Sequence, residues 1–123
     1  MPFDALPRNV VSDVVRLRVA RDGLAKGWRQ MELGARGSDS HCLLGWLLEA
    51  TDWDTEEATR LALDYVWAAL PERRRRECYG KMRAIYTFND EASGSGEVVG
   101  VLDKAIESAA LSRDIRAPAD QVP

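Results

Sequence analysis

Val98, Leu102, Ala105 and Ala109 fall at i, i+4, i+7 and i+11, the spacing of one face of a helix. The same rule governs most of the chain. Val10, Val14, Leu17, Leu24 and Trp28 recur at intervals of three, four or seven, with Val11 and Val15 beside them, and predict a first helix over about 10–26. Asn9 is its expected N-cap, and Gly27 its expected left-handed stop. A second helix over about 41–50 is apolar all round (Cys42, Leu43, Leu44, Trp46, Leu47, Leu48) and belongs inside a core, capped by Asp39 or Ser40. Asp54 followed by Glu57 has capping-box spacing and opens a third helix. Its stripe is Ala58, Leu61, Ala62, Tyr65 and Ala69, and its polar wedge holds Glu56, Glu57, Arg60 and Asp64. Leu70-Pro71 ends it, because the residue before proline leaves the helical region. A fourth helix is expected over about 72–88, with Cys78, Met82, Ile85 and Tyr86 on one side. The fifth follows the loop Asn89–Gly96, with Ser95 as its cap.

Five helices joined by short connections predict an all-α, single-domain bundle. A short hairpin around residues 29–40 is the competing picture, since Gln30 to Leu33 alternate weakly. The helical domain is expected over 10–111, with an N-terminal arm at 1–9 and a mobile tail at 112–123. At 123 residues, 46% of them hydrophobic, the chain can bury a core without a disulfide or metal.

Composition narrows the function classes. A net charge of −3 does not suit a nucleic-acid binder. No apolar run approaches the roughly 20 residues of a membrane span, and no leader precedes the first helix, so the cytoplasm is the expected compartment. His41 is the only histidine, and with Cys42 it supplies half of a zinc set at most. Neither a metal nor a cofactor is expected. The serines form no nucleophile elbow, and Gly94-Ser95-Gly96 is too short to cradle a phosphate. Cys42 and Cys78 sit in apolar patterns and read as small buried hydrophobes. Arg73 to Arg76 wrap a full helical turn between Glu72 and Glu77 and read as a solvated helix start.

Two sets of residues carry the functional expectations. Trp28, Gln30, His41, Asn89 and Asp90 are candidates for a ligand site, a polar floor under the indole. The opposing reading has Asn89 and Asp90 stopping their helix and pinning the loop to the start of the fifth helix. Leu63, Trp67 and Leu70 extend the apolar face of the third helix and are candidates for an interface, such as that of a homodimer. The leading expectation is a non-enzymatic interaction or accessory module with a protein partner. The alternative is a small-molecule binder or weak hydrolase around Asn89 and Asp90.

Short motifs add a resemblance. Gly27-Trp28-Arg29-Gln30, Cys42-Leu43-Leu44-Gly45, Phe88-Asn89-Asp90 and Leu102-Asp103-Lys104-Ala105-Ile106 occur in that order. The pattern resembles a family of small bacterial and phage proteins of unknown function, over about 11–110. Phe88 stands where that family typically has Trp, and Arg29 where it often has Thr. The resemblance implies a shared helical fold and no activity.

Overall fold

The computed structural model describes the backbone of residues 8–77 and 80–121, and the side chains of 12–77 and 80–112. Six helices and no strand are formed among the described residues: α1 (Arg8–Lys26), α2 (Leu43–Ala50), α3 (55–69), α4 (Glu72–Glu77), α5 (Lys81–Glu91) and α6 (Ser95–Gln121). The chain is thus an all-α bundle, as the periodicity predicts. α1 packs along α6 and across α2, and α3 and α5 close the remaining sides. Leu17, Leu24, Leu43, Leu47, Leu61, Ile85 and Leu102 are buried to within 1% at the centre.

The α6 stripe holds in full: Val98, Leu102, Ala105 and Ala109 are each 0% exposed. The α3 stripe holds only as far as Ala62. Residues Ala62–Val66 form a π turn, which places one extra residue in the turn. The buried face slips by one position beyond it. Val66 and Leu70 enter the core, where Tyr65 and Ala69 were expected. Asp54 caps α3 as its spacing predicts, its carboxylate accepting from Glu57 N at 3.2 Å.

Several expectations are corrected. The fourth helix is divided in two, because Gly80 takes a φ of +85°, which no continuing helix allows. After this restart Ala84, Ile85 and Phe88 are buried and Tyr86 is exposed; Cys78 lies outside the described residues. Val15 points to solvent, and Asn9 lies inside the first turn of α1. Helical backbone continues past Leu111, the last periodic residue, to Gln121.

No hairpin forms at 29–40. Trp28 and His41 instead make a single parallel bridge, with His41 N donating to Gly27 O at 2.9 Å and Arg29 N to His41 O at 3.1 Å. Gly27 is not left-handed. It is needed for proximity, since a Cβ there would lie 1.9 Å from Asp39 O. This bridge carries His41 out of α2, so Cys42 is the cap, its Sγ accepting from Gly45 N at 3.5 Å. Asp39 and Ser40 do not cap.

Candidate functional site

Asn89 sits in the last turn of α5 and is 2% exposed. A buried amide must be satisfied, and every bond it makes leaves its own helix except one. Its Oδ1 accepts from Trp28 Nε1 at 2.8 Å and from Leu43 N at 3.0 Å, the latter an early donor of α2. Its Nδ2 donates to Arg29 O at 3.2 Å and to Asp90 Oδ1 at 3.3 Å. Gln30 completes the joint. Its Nε2 donates to the carbonyls of Asn89, Asp90 and Ala92 at 3.2, 2.9 and 3.0 Å, groups the end of α5 leaves without helical partners. Asp90 Oδ1 then accepts from Met31 N at 2.7 Å.

Trp28, Gln30, Asn89 and Asp90 are thereby brought into one network, as the ligand-site expectation required. Asn89 nonetheless holds the 28–31 loop and α2, not the start of the last helix.

His41 is not part of this set. Its ring is 0% exposed, with Nδ1 2.8 Å from Leu33 O and Nε2 3.2 Å from Glu49 Oε2, the latter not aligned for a hydrogen bond. The edge of Trp46 lies against it, the centroids 4.8 Å apart. The backbone bridge places His41 next to Trp28, but its side chain serves the underside of the 33–41 loop. Glu49 holds its carboxyl below the usual range because Gly37 N–H and Trp53 Nε1–H both donate to it.

A cavity of about 330 Å³ opens beside the Asn89 joint. Leu43, Leu44 and Ile85 form its apolar wall, Cys42 a corner, and Asn89 and Asp90 its polar end. Met31, Leu33 and Tyr86 stand on its rim at 77%, 39% and 46% exposure. Asp90 Oδ2 accepts no hydrogen bond from the described residues. Burial pushes the Cys42 thiol above its ordinary value, so it stays protonated at neutral pH and is a poor nucleophile. Trp28, Gln30 and His41 do not line the cavity.

A second cluster was not anticipated. Asp13 is 1% exposed on α1 and is held by Arg60, whose Nη1 and Nη2 donate at 3.1 and 2.5 Å, and by Tyr65 OH at 3.0 Å. Arg60 therefore crosses from α3 to α1 instead of lying in a solvated wedge, and Glu57 and Arg16 extend the chain of charges. These carboxylates push Arg60 above its ordinary value, and Arg60 pulls Glu57 below the usual carboxylate range. The signal was present in the sequence. Asp13 heads the series Asp13, Leu17, Ala20, Leu24, all four buried, so an acid occupies a core position.

The expected interface residues separate. Leu70 is 3% exposed and fills the chain's own core through the π-turn shift, so it is not available to a second copy. Trp67 is half-buried, with Arg75 and Lys81 over its ring at 5.6 and 4.5 Å. Leu63 is half-buried. No helix is long and apolar enough to cross a membrane among the described residues. No group of three metal-ligating side chains gathers there either.

Comparison with curated proteins and with solved structures returns no match. The model of a family of unknown function, DUF6197, matches residues 10–108, and the chain belongs to that family.

Proposed function

We propose that the protein is a non-enzymatic binding module that receives an apolar side chain of a protein partner in the cavity between the 31–33 loop, α2 and α5. One observation carries this reading. Met31, Leu33 and Tyr86, three of the six large hydrophobics left exposed among the described residues, share the rim of one apolar cavity. Scattered exposed apolar residues mean little, whereas residues gathered around a socket provide the buried anchor that dominates binding energy. Asp90 adds negative charge at this mouth, whereas Glu32 is already paired with Arg29, so the anchor is flanked by a basic residue of the partner that meets Asp90.

The chemistry argues against catalysis. Cys42 is held protonated, Asp90 Oδ1 is committed to Met31 N and Asn89 Nδ2, and the one imidazole lies outside the cavity. A nucleophile within reach of its base is therefore lacking among the lining residues. A free small molecule is the second reading, favoured by a volume at the lower end of ligand pockets.

The test is site-specific photo-crosslinking in the native cell, with a benzophenone amino acid replacing Met31 or, as control, the exposed Val15. One discrete adduct from position 31, absent from position 15 and lost with Tyr86→Lys, is expected. Equal adducts from both positions would refute the socket. A small metabolite retained by the purified protein in native mass spectrometry, and displaced by Ile85→Trp, would favour the second reading.

A further inference from the structure

We infer a second binding site, for a soluble phosphate monoester, between the end of α3, the start of α4 and the middle of α6. The four-arginine run supplies the first observation. Arg73 pairs with Glu77 at 3.9 Å, Arg76 with Glu72 at 3.8 Å, and Arg74 with Glu91. Arg75 has no carboxylate partner among the described residues, and its Nε is buried without any hydrogen bond. That nitrogen is closed off by its neighbours, but a guanidinium with no carboxylate partner can still offer its outer nitrogens to an anion.

Arg75 lines a cavity of about 330 Å³ whose other polar walls include Lys104 and Ser108 of α6. Lys104 likewise forms no ion pair with a described residue. Two uncompensated cations and a hydroxyl around one opening suit a dianionic phosphoryl group, with Arg75 offering its planar fork and Lys104 a point charge. Trp67 steadies the guanidinium from behind at 5.6 Å.

An adjoining cavity of about 250 Å³ shares Lys104, Ala69 and Pro71, and is walled by Phe88 and Val101. Its α6 side carries Gly96 and Gly100, where an added Cβ would meet nothing within 4 Å. That space would take the uncharged body of the ester. Two acids line these cavities and each has a partner: Glu72 pairs with Arg76 at 3.8 Å, and Glu97 accepts from the N–H and hydroxyl of Ser93 at 2.7 and 2.8 Å. This site is separate from the cavity beside Asn89, so the two proposals stand or fall independently.

Calorimetry of the full chain at matched ionic strength tests it, with phenyl phosphate, inorganic phosphate and phenol as probes. One-to-one binding of phenyl phosphate is expected, tighter than inorganic phosphate, with none for phenol. Arg75→Gln and Lys104→Gln should each weaken it at least tenfold, while Arg73→Gln, whose partner Glu77 lies outside the cavity, leaves it within twofold. Lys104 is exposed, so its variant reports even if the Arg75 variant folds poorly. No saturable binding, or equal loss with Arg73→Gln, would overturn the site. Capture by phosphatidic acid vesicles without phenyl phosphate binding would overturn the soluble ligand.

Discussion

Replacing Asn89 with alanine removes the amide that joins three segments, and the cost follows from what is left behind. Leu43 N loses its acceptor at a residue that is 0% exposed. An unmet buried donor costs about 1–3 kcal/mol. Trp28 Nε1 and Arg29 O also lose their partners, but both residues are half-buried, so water recovers part of each bond. A total of about 3–4 kcal/mol is expected, or roughly 10–15 °C in melting temperature for a domain of this size. Asp90→Ala is the comparison. Its main loss is the bond to Met31 N, at a residue that is 77% exposed, so about 1 kcal/mol or less is expected. Urea titrations followed by far-UV circular dichroism give both values, with unchanged m confirming a single transition. If Asn89→Ala costs under about 1 kcal/mol, or no more than Asp90→Ala, the joint does not organise the site and the reasoning fails.

Asp13→Asn should cost about 2–3 kcal/mol by urea titration, since it strands Arg60, which is 35% exposed and so partly rescued by water. Gly27→Ala should lower the melting temperature well below wild type, because its Cβ meets Asp39 O, whereas Gly100→Ala, in open space within a helix, should raise stability by about 0.5–1 kcal/mol. Glu49 has a depressed folded pKa, so its contribution is present above the unfolded value near 4.5 and lost as pH falls through the folded one. Glu49→Gln should accordingly flatten the fall in urea midpoint below pH 4.5, and an unchanged slope would count against the carboxylate. In a Cys78→Ser background, Cys42 should alkylate at least a hundredfold slower when native than in urea, given 7% exposure and a raised pKa.

The helical class was legible because burial leaves a period. In α6 that period is unbroken, and all four stripe residues are core. In α3 it is interrupted by a change of backbone hydrogen-bond register at Ala62–Val66, which no count of apolar residues records. That single slip moved Leu70 inward and swung Tyr65 toward Asp13. The break at Gly80 is a backbone angle, and one glycine inside an apolar pattern does not by itself signal it.

Four of the five candidate ligand residues do meet, because Gln30 and Asn89 are amides that supply partners for the carbonyls and donors at this half-buried joint. His41 departed because its ring turns to Leu33 O and packs against the edge of Trp46. Cys42 reads as a core filler, yet it caps α2 and corners the cavity. Only the tertiary placement of the 31–33 loop reveals the socket.

The most direct measurement of the central claim is an amide-resolved NMR titration of the full chain with three short blocked peptides: N-acetyl-Leu-Arg-amide, N-acetyl-Gly-Arg-amide and N-acetyl-Leu-Glu-amide. Leu-Arg should give saturable shifts concentrated at Leu33, Leu43, Ile85, Tyr86 and Asn89, with the other two at least severalfold weaker. Shifts that do not saturate, that map to another face, or that are equal for all three peptides would contradict an apolar socket with an acidic mouth.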